Sequence, residues 1–367
     1  MTLSRRKTLA LIGGGTLLAA GGLGTGWAMT RTPTAALVPW ERAGTYGDPR
    51  LRALSYALLA PNPHNRQPWL AELRGADTVI LTRDPARDLP VTDPFARQLT
   101  IGMGCFIDLM RMAAAEEGDA VAVDLFPEGE DGPVAVCRWD GTAPSDPLFA
   151  HVMDRRSHKE AFEDQAVSAE AAAPLMRYAD IYRGGDELQV LRDMAHDAWL
   201  TEAATPEAFQ ESVDLIRIGK AEIEANPDGI DVGGPMMEGL SLMGLLTHAA
   251  AADPDNPGSR MVIEGTAAAI EGITAMTVGH TPGNTRRDQI AAGADWLRLN
   301  LAATGAGLAL RPVSQALQEA EVFAPMYRAV QTFAPDGGTV QMLGLLGYAP
   351  RTPRTPRWPL ETRLRNA

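Results

Sequence analysis

Residues 60–69 read APNPHNRQPW, from Ala60 to Trp69. Two prolines, Pro61 and Pro63, stop the amphipathic helix that Leu51, Leu54, Leu58 and Leu59 space over Leu51 to Ala60. His64, Asn65 and Gln67 then stand beside Pro68 and Trp69, and a loop that met only water would not keep a tryptophan. The turn reads as a place where amide and imidazole groups are offered to a flat, polar partner.

Outward from this turn the pattern alternates between strand and helix. WLAELR (69–74) and TVILTR (78–83) read as two strands joined at Gly75, Ala76 and Asp77, and a helix is expected from about Phe95 to Glu117. AVAVDLFP (120–127) and PVAVCRW (133–139) read as two further strands, completing an α+β unit near Asp140. Pro39 to Pro49 reads as a linker, and Pro144 to Pro147 as a boundary. Beyond it DRRSHKEAF (154–162) opens a second part with a basic cluster at the start of a helical pattern. Helices are expected over Ala169–Ala179, Gly185–Glu202 and Pro206–Ala225. From Asn226 to Asn284 the chain is rich in Gly, Pro and Met, which suits either a lid-like segment over a ligand or a core insertion.

An internal repeat links the two parts. GCFIDLMRMAAAEEG (104–118) and GADWLRLNLAATGAG (293–307) have equal length, glycine at both ends and a shared Ala-Ala step. Such a repeat suits a chain made of two similar halves, with domains at 38–143 and at 148–367, the latter including the lid-like 226–284.

Composition excludes several classes. With 367 residues and 45% hydrophobic content the chain can bury a large core. A net charge of −13 without a basic stripe opposes nucleic-acid binding. Cys105 and Cys137 are the only cysteines, too few for a disulfide framework and without metal-ligand spacing, and the scattered histidines add no metal pattern. There is no Gly-x-Ser-x-Gly elbow and no His-Glu-x-x-His motif, which disfavours a hydrolase. Ahead of the folded part, Arg5 and Arg6 precede an uncharged apolar stretch from Leu9 to Met29. Residues 1–36 resemble a twin-arginine export signal, and the same stretch is long enough for a membrane anchor. The expectation is export through that machinery to a periplasmic or outer-face, membrane-attached location, with Thr34, Ala35 and Ala36 as a small-residue cleavage site.

A flavin ring requires donors and acceptors at its pyrimidine edge and a cationic grip on its phosphorylated tail. Asn65 and Gln67 offer amides, while Arg155, Ser157 and Lys159, at alternate positions of an extended segment, would offer two cations and a hydroxyl on one side. APNPHNRQPW resembles the flavin turn of the nitroreductase superfamily, with Asn62 where serine is usual, and RRSHK resembles its Arg-x-Ser-x-Lys/Arg segment. The order of the two, His64 before Asn65, DLPVTDPFARQLTIGMGC (88–105) and GYAPRTPRTPRWP (347–359) are similar to the Acg family of that superfamily.

The resemblance implies a nitroreductase-like α+β fold of two fused halves, an internal pseudo-dimer in which one chain supplies the dimer interface, and hence a monomer. It implies one FMN between the halves, with Asn62, His64 and Asn65 facing the ring edge and Gln67 either facing it or holding the turn. Arg155, Ser157 and Lys159 would meet the tail, Arg354 and Arg357 would complete the phosphate site or lie in a solvated tail, and Ser314 would approach the ring; His64 is not assigned as catalytic. Two activities follow. One is an oxidoreductase passing two electrons from a small-molecule donor to a small electron-poor acceptor; the other is a protein that stores FMN beneath a lid.

Overall fold

The computed structural model describes residues 30–335 and 337–365. Arg5, Arg6 and the apolar stretch 9–29 lie outside the described residues. Among the described residues no helix is long and apolar enough to cross a membrane.

Helix α1 (Thr34–Arg42) occupies the start of the expected linker and contains Pro39. It forms there because Trp40 is buried at 1% exposure and anchored by its indole N–H on the Thr355 carbonyl at 2.8 Å, a partner far away in sequence. Helix α2 (Pro49–Ala57), capped by Asp48, leads into the turn. After it come β1 (Trp69–Arg74) and β2 (Thr78–Arg83), an antiparallel hairpin that pairs Trp69 with Arg83. Helix α3 (Arg97–Glu116) follows, then β3 (Asp119–Leu125) and β4 (Ala135–Thr142).

In the second part β5 (Asp180–Tyr182) precedes helices α4 (Gly185–Ala204) and α5 (Pro206–Asp214). The single helix expected over Pro206–Ala225 is instead α5, a strand β6 (Ile216–Ile218) and helix α6 (Gly219–Ala225). Gly219 at φ +74° makes the break, and β6 finds a parallel partner in β7 (Ile230–Val232). Helices α7 (Pro235–Leu242) and α8 (Pro257–Gly272) precede β8 (Ala275–Thr281), helix α9 (Arg286–Gly305), β9 (Ala309–Pro312), helix α10 (Ala324–Val330), β10 (Thr339–Gly347) and β11 (Leu364–Arg365).

The architecture is α+β. One sheet runs β11-β1-β2-β4-β3 and another β5-β8-β10-β9. Two features depart from the sequence-based division. Strand β8, expected within the lid-like segment, is an inner strand of the second sheet with Met276 and Val278 fully buried. Strand β11, at the far end of the chain, pairs parallel with β1, so the C-terminal segment returns to the first sheet and brings residues 347–363 past the APNPHNRQPW turn.

Helices α3 and α9, which carry the repeat, pack directly on each other at its two leading glycines. A Cβ on Gly104 would lie 2.2 Å from the Ile290 carbonyl oxygen, and one on Gly293 would lie 2.0 Å from that of Ile101. The Cys105 thiol donates to the Gly293 carbonyl at 3.0 Å. Only glycine permits this approach of two helix backbones.

Candidate functional site

The APNPHNRQPW turn is held from within. His64, Asn65 and Gln67 all have left-handed backbone, at φ 45°, 51° and 51°. Such conformations are costly for side-chain-bearing residues and persist where the surroundings over-determine them. The Asn62 side chain accepts from the Gln67 amide at 2.6 Å and donates to the Ala60 carbonyl at 3.2 Å, which makes it the clasp of the turn. Gln67 is fully buried. Its side chain accepts from the Trp358 amide at 2.9 Å and donates to the Pro227 carbonyl at 2.7 Å, so it holds the turn to two other segments. Asn65 donates to the Pro356 carbonyl at 3.0 Å and accepts from Arg357. His64 is partly exposed, and desolvation lowers the pKa of its imidazole, with Glu211 opposing and Arg66 adding to the effect.

The basic segment comes to the same place. Arg155 Nη2 donates to the Leu59 carbonyl at 2.7 Å, and Arg357 Nη2 reaches that carbonyl and the Ala60 carbonyl at 3.3 Å each. Both arginines are 3% exposed. Trp40 lies against the group: the guanidinium carbons of Arg156, Arg354 and Arg357 stand 4.8, 5.3 and 5.8 Å from its ring centroid. Arg357 is therefore not in a solvated tail, because β11 and the Trp40 ring fix the segment that carries it.

Charge in this cluster is unbalanced. Arg351 pairs with Asp154 at 2.6 Å, but among the described residues Arg155, Arg156, Arg354 and Arg357 make no ion pair. Arg155 Nη1, Arg156 Nε and Arg357 Nε are buried without a hydrogen-bond partner. Burial pushes the guanidinium of Arg357 down to about 9, with Arg155 and Arg156 adding repulsion, and burial and Arg156 push Arg155 down to about 10. Neighbouring buried cations with unused donors are the chemistry of an anion site, since an isolated buried charge is costly until a counter-charge pairs with it.

The remaining expected residues divide. Residues 155–159 are extended rather than the start of a helix, because Ser157 bridges to Leu310 of β9 and the His158 amide donates to the Leu310 carbonyl at 2.9 Å. Arg155 is buried while Lys159, two alternations on, is exposed and ion-paired with Asp231 of β7 at 3.0 Å. The three side chains expected on one side thus do not share one environment. Ser314 precedes a short helical turn at Gln315–Leu317, and among the described residues no hydrogen bond of its side chain reaches the arginines.

Residues 226–232 contact the turn through Pro227 and Gly229. Asp228, buried, receives Arg217 at 2.9 Å and Arg87, with Arg66 at 3.8 Å. The Gly229 amide donates to the Asn65 carbonyl at 3.4 Å. Trp40, Arg156 and Asp231 were not among the expected residues. Their part depends on stacking and pairing between remote segments, for which the local sequence carries no signal beyond the Arg-Arg step at 155–156.

No family model matches the chain. It is 38% identical over 81 residues to "Putative NAD(P)H nitroreductase acg" of Mycobacterium tuberculosis, in strains CDC 1551 / Oshkosh and ATCC 25618 / H37Rv; the match covers 22% of this chain and 24% of the length of those relatives. Among solved structures, it is similar to a nitroreductase-like family protein from Bacillus cereus at 13% identity and TM-score 0.34, over 62% of this chain and 99% of that one. It is also similar to a nitroreductase with bound FMN from Desulfitobacterium hafniense DCB-2, at 15% identity and TM-score 0.36, over 60% of this chain and 99% of that one. The FMN-dependent nitroreductase NfnB from Mycobacterium smegmatis, solved in complex with NADPH, gives 17% identity and TM-score 0.36 over 60% of this chain and 98% of that one. These neighbours are FMN-dependent nitroreductases or nitroreductase-like proteins, and the matched stretch of the curated relatives is about a quarter of their length.

Proposed function

We propose that the chain is an FMN-binding oxidoreductase of nitroreductase type, belonging with the Acg family, which transfers two electrons from a small-molecule donor to a small electron-poor acceptor. The carrying observation is the group of buried Arg155 and Arg357 with half-buried Arg156, an unused buried donor on each, beside the Asn65 turn. Residues of this kind fit a phosphorylated tail: three guanidiniums supply charge-assisted donors, and the Trp40 ring lies against those of Arg156 and Arg357. Asn65 joins the turn to Arg357, and Gln67 and Asn62 keep the turn rigid from behind. When bound, FMN supplies the two-electron redox chemistry. The protein's own share is to hold the phosphate, with Arg155 and Arg357 buried in the fold.

The contact of Gly104 with Gly293, leading residues of the two repeats, supports reading the molecule as two related halves meeting across a local twofold, as a dimer's partners would. Export is proposed on Arg5 and Arg6 and the apolar stretch that follows them. The experiment is an absorbance spectrum of the purified protein during anaerobic titration with NADPH. Turnover predicts a yellow protein whose visible bands bleach stoichiometrically and return with an electron-poor acceptor.

A second reading, FMN storage, is favoured by one observation: Asp228 and Asp231 fasten residues 226–232 beside the turn, Asp228 to Arg217, Arg87 and Arg66 and Asp231 to Lys159. In the same titration storage predicts a yellow protein inert to NADPH, NADH and dithionite-free mild reductants alike. A colourless protein that does not take up FMN contradicts both readings.

A further inference from the structure

Helix α7 ends in a tip that faces water with apolar side chains. Leu242, Met243 and Leu245 are 71%, 65% and 62% exposed, and Met236 is 40% exposed at the other end of the helix. The tip is a built feature. Gly244, at φ +71°, ends the helix, and the amides of Leu245 and Leu246 both return to the Leu240 carbonyl, at 2.9 and 3.2 Å, which turns Leu242, Met243 and Leu245 outward. From Gly233 to Leu246 the chain carries a single charge, Glu238.

That one charge is committed to the rest of the fold. Glu238 accepts from the Lys220 amide at the start of α6, and its second oxygen lies 3.8 Å from Arg31. Arg31 stands at the point where the described chain begins, directly after the apolar stretch Leu9–Met29. Leu242 is one helical turn beyond Glu238 on the same face of α7, a rise of roughly 5 to 6 Å. The exposed tip thus lies one helical turn from the residue that Arg31 approaches, and residues 9–29, which precede Arg31 in sequence, are numerous enough to span roughly 30 Å of hydrocarbon. An acidic protein with net charge −13 has little to gain from anionic headgroups, so attachment here would be apolar.

We propose that Leu242, Met243 and Leu245 form a bilayer-docking tip that enters the same lipid surface as the N-terminal stretch and fixes the orientation of the molecule on it. The occupant is the acyl-headgroup boundary of a membrane. The proposal rests on retention of residues 9–29 and not on the FMN reading, and flavin content plays no part in its test.

The test uses the full chain reconstituted into phosphatidylcholine vesicles with a single environment-sensitive fluorophore at Met243→Cys. Cys105 and Cys137 are buried at 1% and 0% exposure, so the introduced thiol is the reactive one. A second variant, Met176→Cys, labels a 64% exposed position on another part of the surface. The expected result is blue-shifted emission at position 243 that lipid-borne nitroxides quench strongly, with aqueous emission at 176 that aqueous iodide quenches. In Leu242→Ser with Leu245→Ser, quenching by lipid nitroxides at 243 falls several-fold while the melting temperature stays unchanged. Water-accessible emission at 243 overturns the proposal. So does shielding from lipid and iodide alike, which would mean that the tip is covered by residues 9–29 or by a second copy, the latter shown by dependence on protein concentration.

Discussion

Arg357 donates from Nη1 to the side-chain oxygen of Asn65, across 292 positions of sequence. That bond ties the C-terminal return of the chain to the APNPHNRQPW turn, and Arg155 donates to the Leu59 carbonyl just before it. Three segments that are far apart in the chain thus converge on one buried, positively charged spot.

Arg357→Met should therefore lower FMN affinity by about ten- to a hundred-fold, the scale of one or two charge-assisted hydrogen bonds. Flavin absorbance relative to protein absorbance after gel filtration checks it. Asn65→Ala should also lose flavin, through misplacement of Arg357 and added strain at a left-handed position. Retention of full colour in both variants would place the cofactor elsewhere.

Asp231 supplies a carboxylate to Lys159 from β7, and its charge also acts on Arg357. Lys159 is exposed, so losing this pair should cost under about 1 kcal/mol of stability. Asp231→Asn is expected to tighten FMN binding several-fold, because a negative group no longer competes for the cations. A fluorescence titration decides the sign; weaker binding would mean that Asp231 positions Lys159 for the ligand.

The glycine contact between the repeats gives a stability prediction. Gly293→Ala forces a methyl group against the Ile101 carbonyl and the Cys105 amide, both backbone, so neither helix can yield locally. A loss of about 3 kcal/mol or more is expected, at or above the upper end of overpacking costs. Chemical denaturation of the variant measures it, and a change under about 1 kcal/mol would show that the helices can separate.

Glu202 titrates in an informative window. Burial raises its carboxyl to about 7 from an ordinary 4.5, against hydrogen bonds from Gln315 and Gln318. Between these values the folded form keeps a proton that the unfolded chain releases, so stability falls as pH rises from about 4.5 to about 7 and levels off above. The decline from this group is at most about 3 kcal/mol. Glu202→Gln should remove it and raise the melting temperature at pH 8 far more than at pH 5. A melting profile with the same slope in both proteins would assign the dependence to another group.

Much of this was legible in the sequence where short-range chemistry rules. The helix before Pro61, the β1–β2 hairpin and α3 follow from periodicity and turn residues; the resemblance led to the expectation that the segment at Arg155 faces the turn, and Arg155 donates to the Leu59 carbonyl just before it. What stayed hidden depends on contacts made late in the chain. Pro39 argued for a linker, yet burial of Trp40 against the 354–357 segment sustains a helix. The isoleucines of β6 took strand form because β7 lies beside them, although their surroundings read as helical. Alternation placed Arg155 and Lys159 alike, whereas the segment leaves the core between them.

The most direct measurement compares FMN with riboflavin, which lacks the phosphate, by quenching of flavin fluorescence on the flavin-free protein. FMN is expected to bind at least a hundred-fold more tightly, about 2.7 kcal/mol, and Arg155→Met to erase most of the difference. Equal affinity for the two flavins, or a difference untouched by Arg155→Met, would contradict the assignment of the buried arginines as the phosphate site.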